Sequence, residues 1–279
     1  MKNFIMLLIF AVACTLSASA EVPKGESGFL LGGNAQNAQD PENPANDVIV
    51  INTLAPPFYG TVSRVLGVQI AALDNMLEFK SYFQNRSCGG GSPRFVLTID
   101  LNGDGVPDGD VWAYTFPFTP GGCVPNRWQY DDLTDEMPRW DASPLVASGF
   151  PVLATICSNP LFNTNPAIAP LCPFVQNSSY VPWNVFKTVL TVLYPNHKIC
   201  SGALVDDSGW MAAAAGVAYY DIISLGRATW EDHEDSVGRG FAKGCGQPDE
   251  GDVEIPGDEN HDRAVNDDDR NWKSRHSGQ

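Results

Sequence analysis

The stretch from Arg94 to Phe118, RFVLTIDLNGDGVPDGDVWAYTFPF, constrains this chain most, because it reads as two strands joined by a loop crowded with carboxylates. Phe95, Leu97 and Ile99 alternate with Arg94 and Thr98, the period of a strand with one buried face. Val111 to Phe116 is rich in aromatic and β-branched residues, again a strand signal. In the loop between them, Asp100, Asn102 and Asp104 occupy every second position, followed by Gly105, Val106 and Asp108. Calcium takes six to eight oxygens at about 2.3–2.6 Å, and oxygen-bearing side chains alternating along a tightly turning backbone converge on one point. Gly105 supplies the sharp turn, Val106 offers its carbonyl, and Asp108 closes the ring directly or through water. The competing reading is a hairpin turn rich in Asn, Asp and Gly that holds no ion. The expectation is a calcium site on Asp100, Asn102, Asp104, Val106 and Asp108, constitutively filled and structural.

An EF-hand loop would place a bidentate Glu where Val111 stands, with helices on both sides. Here the flanks are strands, and Asp110 is the residue placed to replace the missing ligand. The loop resembles the thrombospondin type 3 and related DxNGDGxxDG calcium loops of extracellular proteins.

With 279 residues, the chain has room for one large β domain or two small ones. A formal charge of −16 argues against a nucleic-acid partner, since phosphate binding needs basic patches. From Asp249 onward, ten acidic residues face four basic ones. Lys2, the run FIMLLIFAVA and then Ala18-Ser19-Ala20 read as a secretory signal peptide, residues 1–20, cleaved before Glu21. Its apolar run of about 10–12 residues is too short to span a bilayer, and no other segment is long and apolar enough. Ala11-Val12-Ala13-Cys14 resembles a bacterial lipobox, which makes lipid anchoring at Cys14 the minor alternative to release.

Cleavage after Ala20 leaves Cys88, Cys123, Cys157, Cys172, Cys200 and Cys245, an even number suited to an oxidising compartment. Sequence alone does not choose among their pairings. Extending the hairpin register brings Cys88 opposite Cys123. Cys157 and Cys172 bracket a loop rich in Pro and Asn, and Cys200 and Cys245 remain. Asn85 and Asn177 head Asn-X-Ser sequons and are glycosylation candidates if the host glycosylates.

Residues 21–46 are small and polar and read as a flexible arm, and Asp47 to Leu54 is the first strand. Val62 to Phe83 fits either a helix or strands, with strands preferred. Gly89 to Ser92 reads as a flexible entry to the hairpin, and Thr119 to Pro182 as long loops with short strands. Pro182 to Tyr194 is the best helix, with proline in the first turn and Val185, Val189, Val192 and Leu193 at helical spacing. Lys198 to Val205 and Val217 to Leu225 are strands, separated by a turn at Asp206 to Trp210. The tail from 231 is acidic and poor in apolar residues, the composition of a largely disordered segment.

A helix ending in Tyr-Pro, a strand, a DSGW turn and the closing strand YYDIISLG resemble the C-terminal half of secreted jelly-roll β-sandwich modules of the carbohydrate-binding, concanavalin-like kind. The resemblance implies a mostly β protein: an antiparallel jelly-roll sandwich over residues 47–230 with one short helix. Modules of that class bind sugars through exposed aromatics and often carry a structural calcium.

The sequence holds no GxSxG elbow and no HExxH motif. Paired carboxylates are the enzymatic option left, with Asp131, Asp132, Asp135 and Glu136 in one cluster and Glu231, Asp232, Glu234 and Asp235 in another. Trp112, Tyr114, Trp128, Tyr130, Trp140, Trp183 and Trp210 are either core or sugar-stacking surfaces, with two or three expected on loops. Asp221, in an otherwise apolar strand, is expected to anchor a neighbouring loop by hydrogen bonds, with a place in a second ion site as the other reading. The functional expectation is a secreted, calcium-stabilised, non-catalytic module that binds a polysaccharide, a cell-surface glycan or another cell-surface partner. The alternatives are a glycan-cleaving enzyme using loop carboxylates and a structural envelope or matrix protein.

Overall fold

The computed structural model describes residues 28–89, 91–115, 123–174, 180–207, 215–230, 238–239 and 245. In chain order the strands are β1 (Leu30–Gly33), β2 (Ala35–Gln39), β3 (Asp47–Asn52), β4 (Tyr59–Val68), β5 (Leu77–Gln84), β6 (Arg94–Asp100) and β7 (Gly109–Tyr114). They continue with β8 (Trp128–Asp132), β9 (Trp140–Asp141), β10 (Tyr180–Val181), β11 (Lys198–Asp207), β12 (Val217–Leu225), β13 (Ala228–Trp230) and β14 (Gly238–Arg239). The helices are α1 (Leu153–Ile156), α2 (Pro160–Asn163) and α3 (Trp183–Leu193).

The antiparallel pairs β6·β7, β5·β8, β4·β11 and β3·β12 are the rungs of one long ribbon that starts at the central hairpin. Winding that ribbon up leaves β3-β12-β5-β8 in one sheet and β4-β11-β6-β7 in the other, the path of a jelly-roll sandwich. Extra strands widen the sheets: β2 lies beside β3, β13 beside β12, β9 and β10 beyond β7, and β1 beside β4, with β14 parallel to β1.

The alternation read in the central hairpin holds: Phe95, Leu97, Ile99, Val111 and Ala113 all face the core and are inaccessible to solvent. Phe79 of β5 stacks on Phe95 of β6 at 5.5 Å between ring centroids, joining the two sheets. Burying such a ring stabilises the fold by roughly 1.5–3 kcal/mol. Helix α3 turns Trp183, Val185, Phe186, Val189 and Leu190 inward, where Trp140 of β9 lies parallel to Phe186 at 5.7 Å.

Several boundaries differ from those read in the sequence. The described part of the arm contains two strands, because Phe29, Leu31 and Ala35 reach the core from every second position and the small residues between them need no burial. The sandwich therefore begins near Leu30, not at residue 47. It also continues past 230, where β14 pairs with β1 and Cys245 is bonded to Cys200. Beside α3 there are two four-residue helices, α1 and α2, in the region read as loops. Val62 to Phe83 is indeed two strands, joined by a 3-10 turn at Ile70–Leu73 whose Ile70 and Leu73 are buried.

The flexible entry at Gly89–Ser92 is closed by a bridge between its ends, and Ser92 is buried. Asp206 and Asp207 end β11 rather than opening a turn. The signal peptide, Cys14, Trp210, Asn177 and the tail beyond Cys245 lie outside the described residues.

Candidate functional site

Two regions carry the residues singled out by sequence, and they use polar side chains differently. The first is the β6–β7 loop. Spacing at every second residue makes Asp100, Asn102 and Asp104 three successive Asx turns, each accepting the amide two residues on: Asn102 at 3.1 Å, Asp104 at 2.8 Å and Val106 at 2.8 Å. Asp100 is wholly buried and also accepts from Gly103 at 2.6 Å and Gly105 at 2.8 Å. The loop is thus wound around that one carboxylate. Asp108 accepts from the Leu101 amide at 2.7 Å, and Thr98 donates to Asp110 at 2.8 Å. Gly103 has φ +78°, and a Cβ there would stand 2.4 Å from the Asn196 carbonyl, so the α3–β11 connection packs directly on the loop.

The donor chemistry suits a hard cation: carboxylate, amide and carbonyl oxygens only. Much of that capacity is spent on amides, however. Among the described residues no three of the His, Cys, Asp and Glu side chains stand close enough together to hold a metal ion. Asp104 accepts the Val106 amide at one oxygen and the Asn102 side-chain amide at 3.0 Å on the other. A cation would therefore take the second Asp108 oxygen and the Val106 carbonyl, and would share the oxygens of Asp104, Asn102 and Asp100 with their amides.

The second region is the outer face of the sheet β2-β3-β12-β5-β8. In β5, Phe79, Ser81 and Phe83 point inward, so Glu78, Lys80 and Tyr82 point outward. Register then places Tyr219, Tyr82 and Trp128 side by side on three adjacent strands. Tyr82 lies 5.6 Å from Trp128 and 6.0 Å from Tyr219 between ring centroids. The next row holds Asp221, Lys80 and the exposed Tyr130, whose hydroxyl donates to Glu78.

The β2–β3 connection folds over this face. Asp40 caps the amides of Glu42 and Asn43 and accepts from Trp128 Nε1 at 3.2 Å and Asn46 Nδ2 at 3.2 Å. Asp221 sits beside it at a β-bulge, where Ile222 takes φ 47°, a costly conformation for a β-branched residue. Burial raises the Asp221 pKa and the neighbouring Asp40 charge adds to it, against the lowering effects of the Ile222 amide, Lys80 and Asn46. Asp221 therefore anchors the covering loop, as its sequence context suggested.

The other predicted residues fall elsewhere. Trp140 and Trp183 are core. Trp112 and Tyr114 lie on the outside of the second sheet, where Arg94 sits 5.9 Å from the Trp112 ring and pairs with Asp207 at 2.8 Å. Burial, and then the charge of Asp141, push the Tyr114 phenol up to about 12, so it stays neutral. None of the described candidate aromatics is on a loop, because strands expose every second side chain and supply flat faces for rings. Tyr82 and Tyr219 were missed because both adjoin aromatics that face the core, Phe83 and Tyr220.

In the acidic cluster at Asp131–Glu136 three of the four carboxylates are spoken for, and Glu136 is exposed. Arg139, itself wholly buried, binds Asp131 and Asp135 at 2.8 Å each, and Asp132 caps Thr134. Glu231, Asp232, Glu234 and Asp235 are outside the described residues. A hollow lined by Phe79, Phe83, Pro93 and Asp131 has room for about one water molecule, too small for a substrate.

Asn85 is exposed, and its backbone amide and side-chain carbonyl are paired with Asn126. Cys88–Cys123, Cys157–Cys172 and Cys200–Cys245 are bonded, with Cα separations of 5.5, 5.4 and 4.3 Å. Such bonds fit an oxidising compartment. No helix among the described residues is long and apolar enough to cross a membrane.

Fold and cross-links together define a disulfide-bonded jelly-roll β-sandwich. No family model, curated protein or solved structure matches the chain.

Proposed function

We propose that this is a secreted, non-catalytic module that binds glycan on the outer face of the β2-β3-β12-β5-β8 sheet and holds calcium in the β6–β7 loop. The observation that carries the binding reading is the row Tyr219–Tyr82–Trp128, in which the half-exposed Tyr219 and Trp128 rings flank a buried Tyr82 beside the β2–β3 connection. Strands about 4.8 Å apart spread these rings over roughly 10 Å. Sugar rings stack on such faces, and the carboxylates, Lys80 and Tyr130 beside the row are suited to hydrogen-bonding hydroxyls. The surface is a sheet face rather than a cleft, which favours binding over cleavage. The calcium reading rests on the oxygen-only donor set of Asp100, Asn102, Asp104, Val106 and Asp108, and its role would be to stiffen the hairpin.

The test is retention on immobilised polysaccharides and a glycan array, in calcium and in EDTA, for the wild type and for Trp128→Ala, with reducing-sugar release followed in parallel. Expected are retention by the wild type without sugar release, a loss of about tenfold or more in the variant, and weaker retention in EDTA. Equal retention of wild type and variant would remove the aromatic row from the site. Sugar release would instead direct attention to the Asp40–Asp221 pair.

A further inference from the structure

The β3–β4 connection is a run of six consecutive exposed apolar residues, Leu54-Ala55-Pro56-Pro57-Phe58-Tyr59. Leu54 is 63% exposed, Phe58 48% and Tyr59 42%. A run of that kind on a soluble domain is unfavourable unless it is used. It is also built to hold its shape. Asn34 Nδ2 donates to the carbonyls of Asn52 at 2.9 Å and Ala55 at 2.6 Å, and the Asn34 amide donates to Tyr59 at 2.8 Å. Leu54 N–H is taken by the Asn52 side chain at 2.9 Å and Phe58 N–H by the Ala55 carbonyl at 2.7 Å. Pro56 and Pro57 have no N–H to satisfy.

At the base, Thr53 is bonded to Gly216 through both backbone and hydroxyl. Tyr59 packs on Gly33, where a Cβ would stand 2.4 Å from the Tyr59 carbonyl. Phe58 has φ 63°, a costly conformation for a bulky residue that the surrounding bonds maintain.

We infer that this finger inserts into the interfacial layer of a zwitterionic lipid surface. With the Leu54 and Phe58 N–H groups already paired and no N–H on Pro56 or Pro57, the tip strands few donors on entering a low-dielectric layer. Phe and Tyr flanking a Leu suit the boundary between headgroup and chain. Charge agrees with this. At this end of the sandwich Arg86 is paired with Asp206 and Arg94 with Asp207, so these charges cancel, while the carboxylates of the β6–β7 loop lie at the other end. An acidic protein docking on a protein partner through charge would present that other end. This reading is independent of glycan binding, which uses the sheet face.

The test is flotation of the full chain with phosphatidylcholine vesicles at low and high salt, for the wild type and for the double variant Leu54→Ser/Phe58→Ser. Both side chains are exposed, so the variant is expected to melt with the wild type, which checks its fold. The wild type is expected to float with the vesicles in a lipid-dependent and salt-insensitive way, with the variant about tenfold weaker. Equal flotation of the two proteins, or none by the wild type, would overturn the inference. So would concentration-dependent self-association of the wild type that the variant lacks, since the finger would then be covered by a second copy.

Discussion

Asp100 and Asp206 lie at opposite ends of the sandwich, both wholly buried, and they are satisfied in opposite ways. Asp100 is held by amides of Asn102, Gly103 and Gly105, all within five residues of it. Asp206 gathers Arg86 and, at 2.7 Å, Ser92 from the β5–β6 connection, more than 110 residues away in the chain, and Tyr220 of β12 at 2.7 Å. The first arrangement neutralises nothing and depends on backbone dipoles. The second brings a buried guanidinium to a buried carboxylate, and only a fully hydrogen-bonded geometry offsets the desolvation of both. Burial, with the Asp206 charge beside it, raises the Tyr220 pKa well above its ordinary value, so that hydroxyl remains a donor. A local loop tolerates damage locally, whereas a non-local charge pair ties several elements together.

The sharpest break in this comparison is Asp206→Asn. It leaves Arg86 buried without its counter-charge and is expected to cost about 3–5 kcal/mol, read as a lower urea midpoint at unchanged slope. A loss as small as that of a surface substitution would mean that the pair is a bystander to stability.

Asp100→Asn is expected to cost less, about 1–3 kcal/mol, because one side-chain oxygen still accepts amides while the amide nitrogen cannot. Amide exchange should show the damage confined to the β6–β7 loop and the α3–β11 connection packed on Gly103. Exchange accelerated throughout both sheets would erase the distinction between the two ends.

The smallest expected effect separates a third solution, burial of a group kept neutral. His197, near the β6–β7 loop, accepts the Ile70 amide at Nε2 at 3.1 Å, while its Nδ1 stands 2.6 Å from the Tyr194 carbonyl. Burial lowers its pKa, outweighing the Tyr194 bond, so the unfolded chain binds a proton that the folded one resists. The stability from neutral His197 is fully present above pH 6.5, the ordinary value, and is lost as pH falls below it. His197→Gln should flatten the slope of stability between about pH 6.5 and 5. An unchanged slope would assign the acid sensitivity to other groups.

The two buried aspartates also show what was legible beforehand. The alternation of Asp100, Asn102 and Asp104 announced a loop wound on side-chain oxygens, because each acceptor and its amide are two residues apart. Nothing around Asp206 pointed to Arg86 or Ser92, which read as part of a sequon and the end of a glycine run. The finger was equally silent, since Leu54 reads as the end of the first strand and nothing in APPFY says that the six residues are exposed together.

By itself the sequence determined the strand period of the central hairpin, helix α3 and the loop's turn chemistry. Each depends on neighbours a few residues apart, whose geometry the backbone imposes. Only the tertiary structure decided that GFLLGGNAQ supplies strands to both sheets, that Tyr82 and Tyr219 meet Trp128 on one face, and that Arg86 reaches Asp206. Those contacts join residues that the winding of the jelly roll brings together, and no local preference encodes which distant strand becomes the neighbour.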